Sequence, residues 1–436
     1  MDTLNHLSMD HLRRIGNKQS LYIGGVSVAE LATRFGTPLY IYDFDRIRER
    51  ADAISGVLAQ ISKSSRAFFA MKSQSNLSIL KLINSRGLGM DVVSGGEIER
   101  ARAAGVPGQD IIFSGVAKSE SEIRLGLQEN IASFNIESPH EVELLKRLSS
   151  DLGRQTRVCL RINPNVDGNT HSKINTGLAE TKFGLSPELA KQLTLEIIQC
   201  KHLRLTGVSC HIGSQIFDLN TVKLAALSMK NFARELLSLG APLDHIDMGG
   251  GLGVPYHQQE VKQESSFTEW VNTARMALPD SSFSLRLEPG RSIVADAGIL
   301  VTKILDLKPA AAKTFAIVDA GMTELLRPAM YDAYHEAVPV DMVSKEAEYK
   351  LYDIVGPVCE TSCWLAAGRS LPKLERLDLI AILTAGAYGM TMASNYNCRP
   401  RPAEVAVSNG QFKLIRKREQ LQAIWDDELS CLDPLL

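Results

Sequence analysis

Phe68-Phe69-Ala70-Met71-Lys72-Ser73-Gln74-Ser75-Asn76 is the stretch from which the rest of the chain can be read. Four apolar residues run straight into one lysine, and the chain then turns polar. The pattern is that of a buried strand delivering an amine to the mouth of a cavity. Partial removal from water disfavours an ammonium, and a neutral amine can attack a carbonyl to form a Schiff base. An ordinary lysine capping a strand gives the same local pattern, because most lysines are solvated surface residues. The flanking sequence has to separate the two.

Working outward, short apolar runs recur at Ala67–Met71, Gly89–Val93, Asp110–Phe113, Ala132–Ile136, Arg157–Ile162, Leu205–Cys210, His245–Met248 and Phe283–Leu287. Between them lie amphipathic stretches such as Asn76–Ser85, Gly96–Ala104, Ser119–Gln128, Pro139–Leu148, Pro187–Cys200 and Leu219–Leu239. Alternation of this kind implies parallel βα units. Eight of them predict a closed (β/α)8 barrel of the TIM type. An open doubly wound sheet is the alternative, but no G-x-G-x-x-G follows the first strand. The barrel is expected over residues 44–297. Beyond it, Gly298–Leu305, Thr314–Asp319, Leu351–Val355, Leu379–Leu383, Ala403–Val407 and Phe412–Ile415 alternate with few long helices between them. This predicts a mostly antiparallel β-domain over 298–436. Residues 1–43, with strand-like Leu21–Gly25 and Pro38–Tyr42 around a short helix at Val28–Phe35, are expected to add a strand or two to it.

The totals narrow the class. A chain of 436 residues allows two or three domains. With 44% hydrophobic and 22% charged residues it has the composition of a soluble globular protein. A net charge of −2 with mixed signs gives no reason to expect nucleic acid or an anionic membrane as partner. Met1-Asp2-Thr3-Leu4-Asn5-His6 lacks the basic-then-apolar order of a signal peptide. No apolar run approaches the roughly 18 residues of a membrane span. Seven dispersed cysteines predict free thiols in a reducing cytoplasm. Cys359 and Cys363 have a C-x3-C spacing, but no second ligand pair follows, so no metal site is expected.

In such a barrel, functional groups sit at the C-terminal ends of the strands. After the first run comes Lys72; within and after the second come Asp91 and Ser94-Gly95-Gly96-Glu97. The sixth ends Cys210-His211-Ile212-Gly213-Ser214-Gln215, the seventh runs into Gly249-Gly250-Gly251-Leu252-Gly253, and the eighth ends Glu288-Pro289-Gly290-Arg291. These are the residue types that a bound pyridoxal phosphate needs. A phosphate needs N–H donors and close backbone approach, which a glycine turn offers; a tight turn with no ligand reads the same way. Ser214 could add a hydroxyl. A pyridine nitrogen needs an acid partner if the ring is to take up electrons, and Glu288 is the candidate. An ion pair between Glu288 and Arg291 is the structural alternative. His211 could stack on the ring, or be a hydrogen-bonded core group.

Ten stretches occur in order along the chain: FFAMKSQSN, MDVVSGGE, FSGVAKS, RINPN, HIGSQ, GGGLGVPY, EPGRSIVA, LRPAMYDAYH, VGPVCET and GAYGMTMASNYNCRPRPAEV. Together they resemble the fold-type-III (alanine-racemase-like) pyridoxal-phosphate decarboxylases and, within that group, the diaminopimelate decarboxylase family. The resemblance covers nearly the whole chain. It implies that Lys72 forms the Schiff base with the cofactor and that His211 stacks on the ring. Asp91 and Gly290 belong to the cofactor pocket; Ser214, Gly249, Gly250, Gly251 and Tyr388 serve the phosphate. Glu288 meets the pyridine nitrogen. Arg291, Arg327 and Tyr331, with Tyr388, face the substrate, where the distal carboxylate of meso-diaminopimelate must be bound. Glu360 reads the distal ammonium, and Cys359 is the proton donor. The resemblance also implies a homodimer in which the Cys-Glu stretch reaches the partner's site.

The chain departs from that pattern in two places. The family continues Cys-Glu-Ser/Thr-Gly-Asp; here it is Cys359-Glu360-Thr361-Ser362-Cys363. Ser362 is expected to be strained if it inherits a glycine's positive φ, and loss of the aspartate is expected to loosen the loop that aims Cys359. Lys72-Ser73-Gln74 stands in place of Lys-Ala-Asn and is expected to retune the turn without removing the Schiff base. Two other readings remain. One is a decarboxylase of another basic amino acid such as ornithine or arginine, against which the carboxylate-binding Arg327 and Tyr331 argue. The other is a pyridoxal-phosphate-binding homologue without catalysis.

Overall fold

The computed structural model describes residues 9, 11–164, 182–342 and 348–432. The N-terminal stretch considered above for a signal peptide, and Asn165 at the end of the RINPN motif, lie outside them. The chain divides into two compact units, Arg48–Val254 with Gln263–Ile293, and Met1–Ile47 with Pro255–Lys262 and Val294–Leu436.

The first unit is a closed eight-stranded barrel. Its strands are Arg66–Ala70, Gly89–Val92, Ile111–Phe113, Ser133–Ile136, Thr156–Arg161, Leu203–Ser209, His245–Asp247 and Ser284–Leu287. Neighbours pair in parallel in chain order, and the last strand closes on the first through Arg286–Arg66 and Leu287–Ala67. Each strand buries both faces, as a parallel sheet covered by helices must, so Phe69, Met90, Val92, Ile112, Val158, Leu160 and Leu285 form near-continuous apolar runs. The helices start where polar caps stand. Ser138 precedes Pro139–Asp151 and accepts from the Glu141 N–H. Ser119 and Glu122 make a reciprocal capping box before Glu120–Gln128. Such caps satisfy N–H groups that a helix's first turn leaves open.

The second unit carries a nine-stranded sheet. Along its main path run Trp364–Pro372, Tyr349–Val355, Thr314–Val318, Gly298–Pro309, Leu39–Asp43, Ala403–Ser408 and Gln411–Arg416, with Ala337–Pro339 and Leu379–Ile382 branching from it. Most pairs are antiparallel; Thr314–Val318 with Tyr349–Val355, and Leu39–Asp43 with Ala403–Ser408, are parallel. Leu39–Asp43 is the N-terminal strand expected to join this domain, and it lies in the middle of the sheet. Ser20–Ile23, in contrast, pairs within a separate three-stranded sheet with Leu12–Ile15 and Val26–Ser27. That small sheet still shares a core with the large one: Leu21, Ile23, Leu31, Ile41, Ile299, Val301 and Val405 pack in one apolar cluster. Among the described residues no helix is long and apolar enough to cross a membrane, and no group of acidic, histidine or cysteine side chains could hold a metal ion.

Candidate active site

The barrel sets a row of functional side chains at its C-terminal rim. The first strand ends at Ala70, and Lys72 rides on the 3₁₀ turn Met71–Ser73, one residue past the expected strand. Ser73 Oγ donates to the Ala70 carbonyl at 2.8 Å, and Gln74 Oε1 accepts the Asn76 N–H at 2.9 Å. The turn therefore closes with the residues this chain has in place of Ala-Asn. The expected desolvation of Lys72 is not seen. Met71 and Ser73 are buried, but the lysine between them is exposed, because the turn lifts it out of the strand into an open site.

Facing Lys72 is a group of acids with too few cations. Asp91 is 3% exposed, and its Oδ1 has no hydrogen-bond partner. Burial raises its pKa, with Lys72 and a Ser114 hydrogen bond pulling the other way. Burial also holds Glu288 well above the carboxylate range; Asp91 and Asp247 add to the rise, while Arg161 and Lys72 oppose it. Asp247 is pushed up to about 6 and Glu97 to about 7, each chiefly by burial. Asn135 Nδ2 donates to Ser114 Oγ at 2.9 Å and reaches Glu288 Oε1 at 3.5 Å. Arg161 is engaged by Glu137 at 2.6 Å. His211 is held neutral: burial lowers its pKa well below the usual value, helped by Lys72 and Arg161. Its Nδ1 accepts the Gly250 N–H at 3.2 Å, which places its proton on Nε2.

The triple glycine is dictated by packing. A Cβ on Gly249, Gly250 or Gly251 would lie 2.5, 2.2 or 2.5 Å from the carbonyl oxygen of Cys210, Glu288 or Gly213. Gly249 and Gly251 also take positive φ. The Gly249 N–H is used by Asp247 Oδ1 at 2.9 Å, whereas the Gly251 N–H meets no protein acceptor among the described residues. Ser214 Oγ accepts from Arg291 at 3.2 Å, which leaves its own proton free to be donated. A Cβ on Gly290 would sit 3.0 Å from Ser73 Oγ and 3.1 Å from the Ala70 Cβ, so this residue also lets two strand ends close up.

The second unit carries the other residues. Arg327 and Tyr331 share the short helix Arg327–Tyr331. Arg327 is 6% exposed. Its NH1 donates to His335 Nε2 at 2.8 Å, and His335 Nδ1 faces the Leu383 carbonyl at 2.9 Å. Since a carbonyl only accepts, Nδ1 carries the proton, and His335 is the neutral tautomer that can take Arg327's hydrogen bond. The Tyr256 ring lies 4.4 Å under the guanidinium and meets His335 edge-on at 5.1 Å. The sequence reading gave Tyr256 and His335 no role, although both sit inside quoted motifs. Tyr388 adopts φ 55°, a left-handed backbone costly for a residue with a Cβ and concentrated at functional positions.

Cys359 and Glu360 are both exposed in the loop before Trp364–Pro372. Two expectations concern this loop. Ser362 is not among the residues with positive φ, so the condition for a glycine's strain is not met. Cys363, which stands where the family has its aspartate, is packed in place. That side chain is 3% exposed, and its sulfur accepts the Met322 N–H at 3.4 Å. The sulfur fills the space beside Gly321 and Gly356, where a Cβ would come within 2.7 and 2.5 Å of it. The Cys363 N–H donates to the Glu360 carbonyl at 3.1 Å, closing the turn.

An amine, a neutral imidazole, a raised acid and a glycine turn with spare donors fit pyridoxal phosphate. An acid cluster with an orphaned carboxylate oxygen asks for a cationic ring nitrogen, and the Gly251 N–H and Ser214 hydroxyl ask for an anion. Residues 44–295 match the family model for the pyridoxal-dependent decarboxylase, pyridoxal binding domain, and this defines the class: a decarboxylase built around pyridoxal phosphate. The chain is 40% identical over 409 residues to the diaminopimelate decarboxylase of Aquifex aeolicus, covering 94% of this chain and 96% of that one. It superposes on the Helicobacter pylori diaminopimelate decarboxylase complexed with L-lysine with a TM-score of 0.87 and 39% identity, covering 93% of this chain and 100% of that chain. The M. jannaschii enzyme in complex with L-lysine gives a TM-score of 0.91 at 34% identity, covering 99% and 100%. The chain belongs to the diaminopimelate decarboxylase family.

Proposed function

We infer that this chain removes one carboxylate from meso-2,6-diaminopimelate to give L-lysine and carbon dioxide, the last step of lysine biosynthesis. The observation that carries the substrate choice is a buried guanidinium held in one direction in the second unit. A buried Arg327, aligned by neutral His335 and Tyr256, suits a carboxylate. An exposed Glu360 suits an ammonium. Ornithine and arginine have no distal carboxylate for Arg327 to meet.

Pyridoxal phosphate, when bound, supplies the electron sink for the bond that breaks. Lys72 holds it covalently through its amine. Ser214, Gly249–Gly251 and Tyr388 hold its phosphate, with Asp91 and Gly290 lining the pocket. Glu288 would hold a proton at the ring nitrogen, where the burial that raises its pKa also strengthens a hydrogen bond. His211, held neutral, would stack on the ring without adding charge. Arg291, Arg327 and Tyr331, with Tyr388, orient the substrate's distal carboxylate, and Glu360 its distal ammonium. Cys359 Sγ then delivers a proton to the substrate carbon that has lost its carboxylate.

In this reading the barrel spans 44–297, and residues 1–43 and 298–436 complete the active site and the dimer interface. The catalytic unit is a homodimer with shared sites, consistent with a Cys359-Glu360 pair left exposed in a single chain. The enzyme works in the cytoplasm, where its seven free cysteines stay reduced, without a nucleic-acid or membrane partner. The test is direct. Pure protein with pyridoxal phosphate should release carbon dioxide and lysine from meso-diaminopimelate and leave ornithine and arginine untouched. Product from ornithine or arginine alone would replace this reading with a basic-amino-acid decarboxylase, and no product from any of them would make the chain a binder.

A further inference from the structure

We propose that Tyr396 and Asn397 are positioning residues for this decarboxylation, Tyr396 aiming the Glu360 carboxylate at the substrate's distal ammonium and Asn397 fixing the backbone of Cys359. The inference rests on the roles given to Glu360 and Cys359 above.

Tyr396 Oη donates to Glu360 Oε1 at 2.5 Å. The other oxygen, Oε2, has no partner among the described residues. A carboxylate with one oxygen tied and one free is fixed in direction and still able to accept from an ammonium. One residue on, Asn397 Oδ1 accepts the Cys359 N–H at 3.1 Å. Two adjacent side chains of one segment thus hold two adjacent residues of another, each to its neighbour's counterpart.

The holding segment is itself anchored. Ser394 N–H donates to the Thr323 carbonyl at 3.0 Å, and Asn395 Nδ2 donates to the Arg399 carbonyl at 3.0 Å and to Glu419 at 2.5 Å. Arg399 donates to the Asp319 carbonyl at 2.5 Å, at the end of Thr314–Val318. Between these anchors Asn397 and Cys398 both take φ 53°. Asparagine tolerates a left-handed backbone and cysteine does so at a cost, and strain of this kind persists where surrounding contacts over-determine it. Glu360 and Cys359 are exposed in the single chain, so burial within it does not orient them. The turn closed by the Cys363 N–H on the Glu360 carbonyl shapes their backbone, and the two hydrogen bonds tie them to the anchored segment.

Steady-state kinetics of the holoenzyme separate the two roles. Tyr396→Phe removes one hydroxyl. It should raise KM for meso-diaminopimelate about fivefold to tenfold, the worth of one hydrogen bond, with kcat within about twofold. The Ki of 2-aminopimelate, the same skeleton without the distal ammonium, should not move. Asn397→Gly keeps the left-handed backbone and deletes the acceptor; it should lower kcat about fivefold to tenfold with KM nearly unchanged. Asn397→Asp, which keeps an acceptor oxygen, should restore most of that loss. A merely structural role would shift none of these ratios. Glu360→Gln is the reference. If it raises KM and Tyr396→Phe does not, the Tyr396 assignment is overturned while the reading of Glu360 stands. If Glu360→Gln leaves KM unmoved, the reading of Glu360 falls and Tyr396 with it. Unchanged kcat in Asn397→Gly, where Cys359→Ala is slow, overturns the Asn397 assignment.

Discussion

At the rim of the barrel, Asp91 is buried, and Glu288 and His211 are partly buried beside glycines that admit no Cβ; in the β-unit, Cys359 and Glu360 stand in solvent, each tied by one hydrogen bond to a short bent segment. The first arrangement sets protonation. Burial is the chief cause that moves Asp247 to about 6 and Glu97 to about 7, and, with Lys72 and Arg161, it keeps His211 neutral. The second sets direction and leaves the environment to be completed when water is excluded. A group whose proton matters is placed where desolvation is large; a group whose aim matters can be placed where it is small, provided something rigid holds it.

The largest effect should fall on the barrel side. Lys72→Ala removes the covalent hold on the cofactor, and turnover should drop by at least about a thousandfold. The visible absorbance of lysine-bound pyridoxal should vanish with it. Cys359→Ala tests the other side: the absorbance should persist while turnover falls by about a hundredfold, the range for losing a positioned proton donor. A Cys359→Ala protein that also loses the absorbance would erase the distinction between the two regions, and a Lys72→Ala protein that keeps it would remove the cofactor's assigned anchor.

The same contrast should appear in stability. Gly250→Ala would place a Cβ 2.2 Å from the Glu288 carbonyl oxygen, so strand ends must move. A loss of about 2–4 kcal/mol in unfolding free energy is expected, with weakened cofactor retention. Ser362→Gly, which restores the residue usual in the family, should change stability by less than about 1 kcal/mol, because Ser362 already has an ordinary φ. Denaturant melts of the two variants decide it; equal losses would mean that the loop is as tightly packed as the rim.

How much of this could be read beforehand follows the same division. Period and spacing place the eight barrel strands, because a buried parallel strand is a short apolar run and most are followed by a capped helix. Lys72, Glu288 and the triple glycine stand at the ends of such runs and are visible for that reason. The strands Trp364–Pro372 and Ala337–Pro339 escaped notice. Trp364–Pro372 alternates poorly, with Gly368 at positive φ and Arg369-Ser370 in its second half, and Ala337–Pro339 is only three residues long. Arg327, Cys359 and Glu360 carry no local signal and came from resemblance alone. His335, Tyr256, Tyr396 and Asn397 meet these residues through tautomer, ring face and hydrogen bond across long stretches of sequence, relations that no spacing rule encodes. The exposure of Lys72 was missed because a 3₁₀ turn and a strand end share the same apolar approach.

The smallest predicted effect carries the burial argument to the other end of the barrel. His245 opens the strand His245–Asp247, and its ring fills the space where Gly207 lacks a side chain. Its Nδ1 meets Asp244 at 2.7 Å, and its buried Nε2 has no partner. Burial and Arg286 push its pKa down to about 4, with Asp244 pulling it up. The folded chain therefore keeps this imidazole neutral where the unfolded chain, with an ordinary value near 6.5, already takes a proton. The stability it confers is complete above pH 6.5 and is lost as pH falls towards 4, at about 1.4 kcal/mol per pH unit. Asp247 acts with the opposite sign, since its raised pKa makes folding less favourable as pH rises from 3.8 to about 6, so the wild-type curve shows only the difference. Comparison with His245→Gln isolates the histidine. Between pH 7 and 5, wild type should lose about 2 kcal/mol more unfolding free energy than the variant. Parallel curves would show that this imidazole is protonated or hydrated in the folded chain, and that burial at the barrel's closed end does not govern charge as it does at the rim.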